Sequence, residues 1–161
     1  MTAYARLSGH GLSCDAAHLT RPEVDGQVRA LRAALSAADL EPADVQYCNP
    51  HATATPVGDR VESEALRTVW GAHADSLMVG ATKAAHGHLL GGAGALEAVW
   101  TVMALYRGEV PPTAGFTTAD PLCAGLDHVG PVGRSAPELR HAISNSFAFG
   151  GTNVTLVFSR A

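Results

Sequence analysis

After Pro22, apolar side chains recur at Val24, Val28, Leu31, Leu35 and Ala38, the spacing that lays one stripe along an amphipathic helix. Thr20 stands where an N-cap belongs, and Glu23 and Asp25 fall in the first turn, where the helix dipole favours acids. A second stripe, Val61, Ala65, Leu66, Val69 and Trp70, starts from Asp59 and stops near Gly71. The third helix opens in the Gly-rich segment after His88 and runs to Tyr106. Its Leu96, Val99, Trp100, Val102, Met103 and Leu105 point in nearly every direction, so it is expected to be a central helix, buried on most sides.

Between these helices lie short apolar runs. Tyr4 to Ser13, with Gly9 and Gly11, predicts a strand that bends toward a loop at Asp15. Val45 to Cys48 predicts a strand that ends at Pro50, and Leu77 to Ala81 a buried one. Gly108 stops the third helix, Pro111 and Pro112 hold an extended segment, and Thr113 to Pro137 reads as loop with a strand candidate at Leu126 to Val129. His141 to Ser146 and Val154 to Ser159 are β-rich and read as a hairpin. Strands alternating with helices and closing in a hairpin predict an α/β layered fold with a mixed sheet. With no repeat, low-complexity tract or linker, one domain over residues 1–161 is expected.

Apolar residues make up 47% of the chain and charged ones 16%, a balance that excludes disorder and suggests that a partner covers some of the surface. A net charge of −4 without any Lys/Arg cluster gives no reason to expect nucleic acid or an anionic membrane. Met1 to His10 holds no signal-peptide core, and the apolar stretch around Ala98 to Tyr106 is too short to span a bilayer, so a cytoplasmic chain is expected. Cys14, Cys48 and Cys123 fit neither a disulfide framework nor a zinc site and are expected to be buried thiols. The Gly-rich runs match neither dinucleotide nor P-loop spacing.

Three blocks carry candidate chemistry. The first is Asn49-Pro50-His51-Ala52-Thr53-Ala54-Thr55-Pro56-Val57-Gly58-Asp59; the second runs from Thr82-Lys83 through His86-Gly87-His88 to Glu97; the third is Ser144 to Asn153, with Phe147 and Phe149 before Gly150-Gly151. In order and spacing they resemble the C-terminal half of the β-ketoacyl-acyl-carrier-protein synthases, decarboxylating condensing enzymes of the synthase II type. The resemblance sharpens the fold to one half, the C-terminal lobe, of a thiolase-like layer structure. It also implies that the nucleophilic cysteine lies in an N-terminal half outside this chain.

What the resemblance implies for the residues is specific. Decarboxylation of a malonyl thioester leaves an enolate whose oxyanion needs hydrogen-bond donors, and two neutral imidazoles meet that need. His51 and His88 are the candidates, each expected just past a strand and before a helix, facing one pocket at the strand ends of an α/β layer, where ligands bind. Alone, a histidine near a strand end is more often structural. Lys83 and Glu97 are expected beside the site, orienting His88; a solvated lysine and an exposed glutamate are the alternative. Thr53 and Thr55 are expected to line the tunnel for the carrier's pantetheine arm; the alternative is that Thr55 or Asp59 caps the following helix, which for Asp59 is the better reading. The Phe147 amide is expected to contribute to the acyl oxyanion hole and Phe149 to gate the acyl channel; otherwise the two rings are ordinary core.

The chain departs from the family pattern where Ala52 and Ala148 replace glycines, Ala54 replaces a serine and His86 replaces a threonine. Ala148 fits only with φ below zero. His86 and His88 with His51 suggest a metal site, but no carboxylate or cysteine completes the set, so no metal and no resident cofactor are expected. The expected partners are acyl carrier protein, which presents the substrate on phosphopantetheine, and a cysteine-bearing chain, in a homo- or hetero-oligomer. None of the three cysteines has the setting that activates a thiol. The sequence therefore leaves two functional classes open: one component of a 3-oxoacyl-acyl-carrier-protein synthase in fatty acid or polyketide biosynthesis, inactive alone, or a non-condensing acyl-binding or dimerisation module.

Overall fold

The computed structural model describes residues 2–161. Its centre is a six-stranded sheet. The strands are β1 (Ala5–Cys14), β2 (Tyr47–Asn49), β3 (Met78–Val79), β5 (Asp127–His128), β7 (His141–Ala148) and β8 (Thr152–Arg160), in the order β1-β8-β7-β2-β3-β5. β1, β8 and β7 are antiparallel neighbours, whereas β7, β2, β3 and β5 run parallel. A two-stranded ribbon of β4 (Glu109–Val110) and β6 (Arg134–Ser135) stands apart. The sheet is mixed, and the predicted hairpin is β7–β8.

Period-two alternation sends neighbouring residues to opposite faces. Cys48, Ile143 and Val157 join Leu31 and Leu35 of α1 (Val24–Ala38) and Leu66 and Trp70 of α2 (Gly58–Trp70) in one core layer. Tyr47, Ala142 and Phe158 join Ala104 and Leu105 of α4 (Ala93–Arg107) in the other. Helices therefore cover both faces, as a largely buried parallel region requires.

Several expectations change. β1 follows the predicted strand, with a bulge in its pairing between Leu7 and Gly9, and continues to Cys14; a Cβ at Gly11 would meet the Ala30 carbonyl oxygen of α1 at 2.0 Å, so the glycine allows close helix–strand approach. Thr20 does not cap α1. The N-cap is Glu23, without a side-chain cap of its own, and Asp15 Oδ2 accepts the Glu23 N–H at 2.9 Å. Asp59 is no cap either: it lies inside α2, and Thr55 Oγ1 instead accepts the Gly58 N–H at 3.2 Å. Cys14 is exposed, whereas Cys48 and Cys123 are buried. Within residues 113–137, β6 joins the expected β5, because Arg134 and Ser135 pair with the strand that follows Gly108.

The largest correction concerns α4. Its inner stripe, Ala93, Glu97, Thr101, Ala104 and Leu105, is buried, but Val99 is 59% exposed, Trp100 39% and Tyr106 46%. A helix apolar all round is thus covered on one side only by this chain. Among the described residues, no helix is long and apolar enough to cross a membrane.

Candidate active site

The parallel strands β7, β2 and β3 bring the three blocks together at their C-terminal ends. His51 follows the end of β2, Phe147 lies near the end of β7, and His88 follows β3 by way of the one-turn helix α3 (Lys83–His86), which the sequence pattern did not resolve from the strand. There the rings of His51 and His88 meet edge to face, 5.4 Å between centroids at 85°. Phe147 lies against His51 at 6.3 Å.

Each imidazole has a fixed setting. The Leu90 backbone N–H donates to His88 Nδ1 at 3.2 Å, so in the neutral ring the proton sits on Nε2 and is free to donate. Leu90 reaches that position with a φ of 52°. His51 is half-buried, and its pKa is lowered from 6.5 to about 4 by burial, with Lys83 and His88 adding to the shift. It is neutral at pH 7.

Beneath His51 lies Glu62 of α2, 4% exposed, whose two oxygens accept the backbone N–H groups of His51 and Ala52, each at 2.9 Å. Asn145 Nδ2 donates to Glu62 Oε1 at 3.0 Å. Burial pushes the Glu62 carboxyl up while these donors pull it down. Sequence reasoning missed this residue, although its signal was present: Glu62 lies in register with the apolar stripe Ala65, Leu66 and Val69, where a carboxylate needs a buried partner.

Lys83 and Glu97 form an ion pair in which both side chains are buried, which overturns the solvated alternative. Burial raises the Glu97 carboxyl against the pull of Lys83. Behind the pair, Asn49 Nδ2 donates to the Glu97 carbonyl at 3.2 Å, and the Thr82 hydroxyl donates to Asn49 Oδ1 at 3.0 Å.

Thr53 and Thr55 line a cleft of about 680 Å³ together with Lys83, His88, Phe116 and His128. Their hydroxyls lie 3.3 Å apart, within hydrogen-bond distance of each other. Asp59, on the same wall, has its carboxyl raised by burial. Phe149 is 78% exposed at the β7–β8 turn, in contrast to the buried Phe147. Ala148 has φ −114°, so alanine fits there, and Gly150 and Gly151 take the positive φ values of the turn. Cys48 is unsuited to nucleophilic work, since burial raises its thiol pKa well above the ordinary value.

The family model described as Beta-ketoacyl synthase, C-terminal domain, matches residues 4–117. The chain belongs to the β-ketoacyl synthases. It is 45% identical to Nodulation protein E of Rhizobium sp. (strain N33), covering 98% of this chain and 39% of that protein. It is equally 45% identical to 3-oxoacyl-[acyl-carrier-protein] synthase 2 of Synechocystis sp., covering 98% of this chain and 38% of that one. Among solved structures, the ishigamide ketosynthase/chain length factor superposes with a TM-score of 0.93 at 37% identity, over 98% of this chain and 38% of that chain. The β-ketoacyl synthase C-terminal domain described here therefore spans about two-fifths of the length of the relatives it matches.

Proposed function

We propose that this chain supplies the decarboxylating half of the active site of a 3-oxoacyl-acyl-carrier-protein synthase, with His51 and His88 donating hydrogen bonds to one thioester oxygen. The observation that carries the reading is the pairing of a His88 ring fixed with its proton on Nε2 and a His51 ring held neutral, 5.4 Å apart. Loss of carbon dioxide from a malonyl thioester leaves an electron pair that spreads onto the thioester oxygen. Two N–H groups already aimed at that oxygen lower the barrier without reorganisation.

The resulting carbanion attacks the acyl thioester held on a cysteine of the other half, and the cysteine leaves as thiolate. Lys83 and Glu97 act by orienting His88 and by setting the charge around His51. Thr53 and Thr55 hold the pantetheine arm in the cleft, and the substrate arrives on acyl carrier protein. The Phe147 amide assists at the acyl thioester, and the exposed Phe149 covers the acyl channel. A ketosynthase of similar fold has been solved with its acyl-carrier protein, at 30% identity and TM-score 0.93 to this chain, and others with chain length factors. Those complexes support a carrier protein and a second chain as partners here.

The test is to combine this chain with a cysteine-bearing N-terminal half and measure malonyl-carrier decarboxylation. His51→Ala and His88→Ala are each expected to lower the rate by about a hundredfold or more, the scale of losing one oxyanion donor. Unchanged rates in both variants overturn the assignment.

A further inference from the structure

His86 is an imidazole that the proposed chemistry leaves unused, at a position where the family pattern carries threonine. Its ring bridges two oxygens, with Nδ1 2.7 Å from the Gly87 carbonyl and Nε2 3.3 Å from Thr82 Oγ1. The carbonyl can only accept. The network behind Thr82 makes its oxygen an acceptor as well.

Thr101 Oγ1 donates to the Glu97 carbonyl at 2.8 Å, so toward Asn49 it accepts. Asn49 therefore turns its Nδ2 to Thr101 and the Glu97 carbonyl, and its Oδ1 to Thr82. The Thr82 proton is committed to that Oδ1, leaving lone pairs toward His86. Both ring nitrogens thus meet acceptors, and a neutral imidazole carries only one N–H.

We propose that His86 is a positioning residue: charged, it donates to Gly87 and Thr82 together and locks Asn49; neutral, it draws the Thr82 hydroxyl away from Asn49 and loosens the strand end that carries His51. The proton leaves Nε2 for solvent, which the half-buried ring can reach, while Nδ1–H keeps the shorter bond to Gly87. Asn49 and Thr82 are buried, so Asn49 Oδ1 has no water to take instead and the loss is felt at β2. The charged and titratable groups around the ring are Lys83 on the same turn, Glu97 on α4 and His88 in the next loop. The effect of this lock on reaction rate rests on the condensing-enzyme reading; the hydrogen-bond circuit does not.

Nitrogen-15 NMR of the histidine rings and of the Asn49 side-chain amide, followed through the range around pH 5–8 where imidazoles titrate, tests the circuit in this chain alone. The Asn49 amide is expected to shift with the midpoint of the His86 ring. That component should vanish in His86→Gln, which retains a neutral donor, and in His86→Thr, should the first variant fold poorly. An Asn49 amide that stays put while His86 titrates, or a step that persists in both variants, overturns the proposal. With a cysteine-bearing half present, the parent's decarboxylation rate should fall at the same midpoint as pH rises, and the variants should lose that fall. Absence of decarboxylation in every form would sink the condensing-enzyme reading and leave the NMR result to judge His86.

Discussion

Glu62 spans the first two peptide N–H groups of the histidine loop, taking His51 on one carboxylate oxygen and Ala52 on the other at equal distances of 2.9 Å. A carboxylate offers two acceptors where an amide offers one. Glu62→Gln therefore leaves one buried N–H facing an NH2 group, at a cost of roughly 1–3 kcal/mol. Urea unfolding should show that loss in the midpoint, and an unchanged midpoint would mean that the loop is held by other means.

Acid should destabilise the fold through His51. Its pKa falls from 6.5 to about 4 in the folded state, so between those values the unfolded chain binds more protons and stability rises with pH. The contribution is fully present above pH 6.5 and is lost as pH drops toward 4. The raised carboxyls of Glu62 and Glu97 act in the opposite sense, because burial disfavours their charged forms. The informative quantity is the difference in Tm between the parent and His51→Phe across this window. That difference should move in favour of the phenylalanine variant as pH falls, and a constant difference would contradict a neutral His51.

The Lys83–Glu97 pair is buried on both sides, so removing either partner strands a charge in the core. Lys83→Met and Glu97→Gln are each expected to cost about 3–5 kcal/mol. The double variant should cost much less than their sum. Additive losses in a double-mutant cycle would show that the two charges do not depend on each other.

Much of this arrangement was legible in the residues, and the rest was hidden for physical reasons. The stripes of α1 and α2 betray helices that bury one face against a neighbour, and β7 and β8 show as β-rich runs on either side of the Gly150-Gly151 turn. The short parallel strands β2, β3 and β5 give little periodicity, since they are only two or three residues long. His51, His88, Lys83 and Glu97 stood out through the resemblance of their blocks to the condensing enzymes, since a histidine near a strand end reads by itself as structural. Glu62, Asn49 and Thr82 did not, because their hydrogen-bond partners lie far away in the chain, although the place of Glu62 in an apolar stripe was a signal. α4 misled for a simpler reason: an all-round apolar helix announces burial but not by which chain.

Ala52 sits at φ 31°, where the family pattern has glycine and where a Cβ is strained. Ala52→Gly should raise stability by about 1 kcal/mol, as relief of strain outweighs the added freedom of the unfolded chain. Ala148, the other alanine in a glycine position, has φ −114° and no such strain. Ala148→Gly should therefore lose roughly 0.4–1 kcal/mol. Equal effects at the two sites would rule out backbone strain as the cause.

The exposed side of α4 gives the last prediction. Val99, Trp100 and Tyr106 form an apolar strip on a helix whose opposite side is fully packed, next to a groove of about 460 Å³ bordered by Met103, Pro111 and Pro112. Under the condensing-enzyme reading, the cysteine-bearing half covers this strip. A lysine at Val99 stays in water in the isolated chain and should change its stability by no more than about 0.5 kcal/mol. In the complex the same lysine must be buried without a partner. Val99→Lys should therefore weaken association by about tenfold or more, each tenfold being about 1.4 kcal/mol. Native mass spectrometry of the mixed halves, with titration calorimetry for affinity, reads both effects. Undiminished binding by a well-folded Val99→Lys chain would place the second half elsewhere and leave the strip to another partner.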